Sequence, residues 1–406
     1  MSTIVDDPRL IAEQPGLAGA WLGFRRRVSQ GELGSLPVVI GLVVIWTAFQ
    51  ILNPNFLTAR NLTNLVLQIA AMGMISVGVV LVLLLGEIDL SAGAVSGLCA
   101  AVMAVLSVKL GVAAPVAITA GISVGLAIGL LQGFLLARFG VPSFVVTLAG
   151  LLGWQGALLY VLGETGTVNL TDPGITGLAN TFLPELAGWA VGLVAAAVYF
   201  GQALLTRRSR LAAGLPVDPA NKLVGRAAVV GAAVVAAVAI VNADRGVPLA
   251  VLILLGFIVV LDYICRRTRF GRHIFAVGGS AEAARRAGIS VNGVRVAVFA
   301  LCSGLAGCGG ILAASRLLAV NQSSGSGDVL LNAIAAAVIG GTSLFGGRGT
   351  VWAALLGALV IGSISNGMDL LALPSSVKFM ITGAVLLVAV TIDALSRRGR
   401  QSAGRA

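Results

Sequence analysis

Twelve apolar stretches, each followed by a short polar connector, constrain this chain more than any other feature. They fall at 36–52, 63–86, 91–108, 112–136, 142–163, 186–205, 227–243, 247–264, 296–318, 332–346, 350–367 and 376–393. Each is near the length of about 20 residues that spans a hydrocarbon layer as a helix. A few are short or broken by glycine, so about ten to twelve crossings are expected. Only 11% of the 406 residues are charged, where a soluble domain carries about 25%. The predicted fold class is therefore all-α: a polytopic membrane protein.

The net charge of +11 does not indicate nucleic acid, because the basic residues lie in separate connectors between apolar runs. With the first polar stretch in the cytosol, only Arg60, Lys109, Arg245, Arg316 and Lys378 fall outside, leaving 22 of the 27 basic residues inside. Positive charge resists translocation, so both termini are expected in the cytosol. Residues 1–33 read as a cytosolic tail, and their Arg25-Arg26-Arg27 lacks the small-residue cleavage site of a secretory signal. A single membrane domain is expected over 34–395, with a basic cytosolic loop at 266–295 and a second cytosolic tail at 396–406. The 54 glycines are read mainly as close-packing positions, because helices in lipid associate through small residues.

Enzyme chemistry finds little support. Lys109, Lys222 and Lys378 are the only lysines and none follows a glycine, so no phosphate-binding loop with its Gly-Lys-Ser/Thr ending is present. His273 is the only histidine, and Cys99, Cys265, Cys302 and Cys308 lack zinc spacing. No metal site is expected, and the cysteines read as core or lipid-facing. Asp262, Asp244, Asp369 and Asp393 read as residues at helix boundaries.

Three stretches carry more. In Ser280-Ala281-Glu282-Ala283-Ala284-Arg285-Arg286-Ala287-Gly288-Ile289, Ser280 is placed to cap a short helix. Glu282 suits its first turn, Arg285 and Arg286 its last, and Gly288 the left-handed position beyond it. So short a helix needs a surface to dock on. It is either part of a solvated basic loop or an element that grips a soluble partner. In Gly86-Glu87-Ile88-Asp89-Leu90-Ser91-Ala92-Gly93, two acids lie between apolar segments. Asp89 or Ser91 caps the next helix, or the acids mark a pathway or hinge. In Ala333 through Thr350, a run of small residues reaches the break Gly340-Gly341-Thr342-Ser343. That break serves either close packing or the gating of a pathway.

Arg269-Phe270-Gly271-Arg272 with Gly278-Gly279-Ser280-Ala281-Glu282-Ala283-Ala284 and Gly288-Ile289 resembles the coupling loop of bacterial sugar ABC-importer permeases of the ribose/xylose family. Glu87-Ile88-Asp89-Leu90-Ser91 and Ile339-Gly340-Gly341-Thr342-Ser343-Leu344 resemble two further signatures of that family. The likeness runs through nearly the whole chain. The stretch around 185–245, with Pro142-Ser143-Phe144, Arg245-Gly246-Val247-Pro248 and Asn366-Gly367-Met368, is similar to the xylose-type members. Two departures are Ser280 where Asn is usual and Leu330-Leu331-Asn332 where Glu-Leu-Asp is common.

The resemblance implies a multi-pass protein of the bacterial cytoplasmic membrane that moves D-xylose or another monosaccharide inward. It implies a second copy of the permease, separate ATPase subunits that bind ATP and Mg, and an extracytoplasmic sugar-binding protein. No cofactor is expected in this chain. The coupling set would be Arg269, Gly271, Arg272, Gly278, Gly279, Ser280, Glu282, Ala283, Ala284, Gly288 and Ile289. Glu87, Asp89, Ser91, Gly340, Gly341, Thr342 and Ser343 would serve the pathway or its gate. Two rivals are an ion-driven secondary transporter, which calls for repeat symmetry and mid-helix ionisable residues, and a membrane-embedded enzyme.

Overall fold

The computed structural model describes residues 36–215, 217 and 220–402. The stretch expected as an N-terminal tail, 1–33, lies outside them. Nine of the described helices are long and apolar enough to cross a membrane, and three shorter apolar helices add to them. In order, these apolar helices are α1 (Leu36–Leu52), α2 (Ala59–Leu84), α3 (Ala92–Ala104, continued as a π-helix over Val105–Lys109), α4 (Ala114–Phe139) and α5 (Ser143–Leu162). Next come α7 (Glu185–Ala212), α8 (Ala220–Asn242) and α9 (Leu249–Arg267), then α12 (Val291–Leu317), α13 (Asp328–Ile339), α14 (Trp352–Leu370) and α15 (Ser375–Ser402). The all-α polytopic fold is thus observed, and each expected apolar stretch overlaps one of these helices. The last of these continues to Ser402.

The connectors fall on two faces of the bundle. One is a basic face that carries Arg207, Arg226, Arg267, Arg286 and Arg348. The other holds α6 (Pro173–Asn180) and two small antiparallel sheets. There β1 (Thr167–Asn169) pairs with β4 (Ala319–Asn321), and β2 (Phe182–Leu183) pairs with β3 (Val247–Pro248). Asp172 caps α6 through the Gly174 N–H at 2.7 Å. Ser315, near the end of α12, accepts from Ala179 N and donates to the Thr176 carbonyl, each at 2.9 Å, which ties the α6 cover to the bundle.

The bundle is built around α2 and α12, which are buried along most of their length. Their small residues explain this. Gly78 of α2 faces the Cys302 backbone, and Gly310 of α12 faces Ser96 of α3, where an added methyl carbon would lie 1.9 Å from the Ser96 carbonyl oxygen. Backbones that touch in this way gain the dispersion contacts that hold helices together in lipid, where no hydrophobic effect acts between them. Asn61 and Asn366 form a buried reciprocal pair at 2.8 and 3.1 Å that joins α2 to α14. Three of the four boundary acids are in ion pairs, Asp262 with Arg266, Asp244 with Arg245, and Asp369 with Lys378, and the Asp393 side chain lies outside the described residues.

Candidate functional site

The basic segment after α9 forms two helices, where the sequence suggested one. Thr268 leaves the helical region (φ −101°, ψ 165°) and its Oγ1 accepts the Gly271 N–H at 3.2 Å, which starts α10 (Arg269–Gly279). Gly271, Ile274 and Val277 form its buried stripe. Ser280 repeats the device: its backbone is extended and its Oγ accepts from Ala283 N at 3.2 Å, which starts α11 (Ala281–Arg286). At the end of α11, Gly288 N and Ile289 N bond the Arg285 and Ala284 carbonyls, both at 3.0 Å, with Gly288 at φ +80°. That is the paired closure a left-handed residue permits. Ala284 is buried against the bundle, while Glu282, Ala283, Arg285 and Arg286 are exposed. The exposed face is held together by Glu282 with Arg285 at 3.3 Å and with Arg286 at 3.1 Å.

Gly278 fixes where this helix pair docks. A methyl carbon added there would lie 1.8 Å from the Leu84 carbonyl oxygen and 2.7 Å from Gly347 N. The same Leu84 oxygen accepts the Gly347 N–H at 2.9 Å. The end of α10, the end of α2 and the turn before α14 therefore meet backbone to backbone. A step further on, Glu87 pairs with Arg295 of α12 at 2.8 Å. The 85–91 connector follows directly on Leu84, so α10 and this connector are joined through backbone contacts with no side chain between them.

That connector does not stay at the basic face. Ile88 N lies 3.3 Å from Ser143 Oγ at the start of α5, but Asp89 reaches the interior. It is 3% exposed. Its Oδ1 accepts from Ser91 N at 2.8 Å and Ser91 Oγ at 2.7 Å, and its Oδ2 accepts the thiol of Cys302, near the middle of α12, at 3.6 Å. Gln132 Nε2 of α4 donates to Ser91 Oγ at 2.8 Å. Buried polar groups persist when paired in this way. Of the two capping assignments open for this connector, the Asp89 side chain takes the Ser91 N–H, while the Ser91 hydroxyl makes no cap and is bonded within this cluster.

A second connector enters from the opposite face. With 12 residues, α13 is about 18 Å long, well short of the roughly 30 Å hydrocarbon core. Gln322 to Gly327 precede it as irregular backbone. Gly325 (φ +73°) sits against the first turns of α3, within van der Waals reach of Gly93 and Gly97. Gln155 Nε2 of α5 donates to the Gln322 carbonyl at 2.9 Å. Non-helical backbone within a membrane bundle is tolerated where it is enclosed by protein or lines a cavity. Beside it, Gly150 of α5 leaves room for two donors: a methyl carbon there would lie 2.4 Å from Gln132 Nε2 and 2.9 Å from Trp154 Nε1. The Trp154 Nε1 is buried and has no hydrogen-bond partner.

The structure divides the residues singled out from the sequence into three groups. Arg269 through Ile289 form the docked helix pair. Asp89 and Ser91 join Gln132 in the interior cluster, whereas Glu87 is at the basic face with Arg295. The Gly340–Ser343 break turns beneath α13 and is not part of the interior cluster. Gly340 packs on the Ala353 backbone, Gly341 adopts φ +104°, and Thr342 is buried with its Oγ1 unpartnered. Ser343 Oγ accepts from Phe345 N at 3.2 Å. Sequence reading passed over Trp154, Gly150 and the Gln322–Gly327 connector. The signal was a polar Gly/Ser run before an unusually short apolar stretch, the mark of a discontinuous helix.

The chain is 38% identical to the xylose transport system permease protein of Escherichia coli over 361 residues, covering 89% of this chain and 90% of that protein. It is 36% identical over 362 residues to the xylose transport system permease protein of Haemophilus influenzae, covering 89% and 96%. It is 32% identical over 370 residues to the ribose import permease protein of Escherichia coli, covering 91% and 96%. No solved structure matches. Residues 61–390 match the family described as "Branched-chain amino acid transport system / permease component", and this multi-pass chain belongs to that permease family.

Proposed function

We propose that this chain is the membrane-spanning subunit of an ATP-driven importer that carries a neutral monosaccharide, D-xylose first, across the bacterial cytoplasmic membrane. The observation that carries the reading is the continuous junction from the exposed α10–α11 pair, through Gly278, Leu84 and Gly347, to the connector that bears Asp89 and Ser91. A separate ATPase subunit, which binds ATP and Mg, grips the exposed face of α11. Its closure shifts α10, and the shift reaches the interior through backbone contacts. The basic face is cytosolic on this reading, in keeping with the distribution of arginine. A sugar-binding protein delivers cargo at the face with the small sheets, and a second copy completes the route.

The cargo assignment rests on the two kinds of relative and on the chemistry of the interior. A sugar presents hydroxyls and needs amide, hydroxyl and indole partners. Gln132, Ser91 and the unpartnered Trp154 Nε1 supply these beside the meeting point of the two connectors. An amino acid zwitterion would need partners for both of its charges, and the interior carboxylate is already engaged by Ser91 and Cys302.

The test is uptake of radiolabelled xylose into vesicles that carry this chain, its ATPase and its binding protein, with Glu282→Arg as the comparison. ATP-dependent uptake abolished by the substitution, with folded protein retained, supports both cargo and coupling. Uptake of ribose in place of xylose replaces the cargo and leaves the mechanism. Uptake that depends on an ion gradient and ignores both ATPase and substitution overturns the importer.

A further inference from the structure

We propose that the cavity between the basic-face ends of α7, α8 and α9 binds the phosphate headgroup of an anionic phospholipid. The cavity measures about 880 Å³ and is lined by Arg207, Arg210, Arg226, Arg266 and Arg267. Asp262 is bonded to Arg266 at 2.8 Å. Arg207 Nε is buried and has no hydrogen-bond partner. Guanidinium groups gathered around one cavity repel each other, and a buried N–H without an acceptor is costly. An anion with several acceptor oxygens relieves both, and planar guanidinium forks match phosphate oxygens in pairs.

The surroundings favour a lipid over a free ion. Tyr199 and Tyr263 line the same cavity, with an apolar ring and a polar hydroxyl suited to the headgroup level. Leu205, also on the lining, is 62% exposed, and Leu193, Val194 and Val198 continue an exposed apolar surface along α7. A headgroup seated among the arginines leaves its acyl chains against this surface, where a free phosphate has no use for it. Basic pockets between helix ends are suited to anionic headgroups on general electrostatic grounds. Arg266 and Arg267 end α9 directly before the Thr268 cap of α10, so an occupied cavity braces the root of the docked helix pair.

The experiment is native mass spectrometry of the full-length chain released from detergent with phosphatidylglycerol or phosphatidylcholine. Arg207→Gln/Arg267→Gln is compared with Arg138→Gln/Arg208→Gln, which removes equal charge outside the cavity. The expected result is a phosphatidylglycerol preference that falls about tenfold or more in the cavity variant and changes less than about twofold in the control. Equal loss in both variants overturns the site in favour of diffuse surface charge. Inorganic phosphate that displaces the lipid at millimolar concentration, or binds equally well in its absence, overturns the lipid assignment. A photoreactive phosphatidylglycerol added to the wild-type chain makes the test independent of the variants' folding. Labelling around Tyr199 and Tyr263 is expected, and labelling confined to other helices overturns the proposal.

Discussion

Helices α2 and α8 have nearly the same hydropathy, yet 83% of the apolar window of α2 is buried in the bundle and 6% of that of α8. Hydropathy therefore places a helix in the membrane without deciding where in the bundle it lies. Small residues set against facing backbone decide that. In α2, Gly73 and Gly78 meet Leu254, Ala358 and Cys302, whereas Gly225 and Gly231 of α8 have nothing within 4 Å. The α7–α8 hairpin sits between the paired strands β2 and β3, with Leu183 opposite Val247. It is thus attached to the permease at a closed neck. The two regions differ in kind: the centre carries the buried polar cluster and connectors, and the hairpin is exposed at the edge of the chain.

The sharpest way to break this contrast is to place the same side chain in both regions. Gly310→Leu in α12 drives a carbon into the Ser96 carbonyl and is expected to cost more than about 3 kcal/mol, because overpacked backbone contacts have no room to relax. Gly231→Leu in α8 meets nothing within 4 Å and should stay within about 0.5 kcal/mol. Thermal unfolding in detergent and the yield of monodisperse protein measure both. Equal losses would show that the hairpin is packed as tightly as the centre.

Removing a carboxylate sharpens the contrast further. Asp89→Ala leaves Ser91 N and the Cys302 thiol without their acceptor, with Gln132 Oε1 at 3.2 Å still available to Ser91 Oγ, and unmet buried donors cost about 1–3 kcal/mol each. Reconstituted uptake should fall at least about tenfold. Asp244→Ala beside the hairpin breaks one partly exposed pair and should cost under about 1 kcal/mol.

Smaller effects test the docked helices. Ser280→Ala should cost about 1 kcal/mol, seen as faster hydrogen exchange at Ala283 N, and Ser280→Asn should restore the cap. Smallest of all, replacing residues 184–246 by a two-residue turn that joins Leu183 to Val247 should leave the remaining crossings inserted and folded. Two crossings are lost together, so every later helix keeps its direction. A protease-accessibility map of the 266–295 segment checks this, and a reversed map would show that the hairpin sets topology.

Much of this architecture is legible along the chain because it depends on local chemistry. Apolar length identified the crossings, and Ser280 with Gly288 marked both ends of α11. The Thr268 cap was equally local and was passed over, because Arg269 to Arg272 reads as loop-like when charge is weighed before the Ile274–Val277 stripe. The interior was not legible. Asp89 and Cys302, or Gly97 and Ser324, are far apart in the chain, and nothing in either member of a pair names the other.

The sequence alone determined an all-α membrane protein, its crossing segments and its capped basic helix, because hydropathy and capping are properties of contiguous residues. Only the tertiary structure decided that Gly278, Leu84 and Gly347 share one junction, that two connectors meet inside the bundle, and that five arginines gather around one cavity. Those outcomes depend on which backbones approach closely and which polar groups find partners, and both are properties of pairs that only the packed bundle brings together.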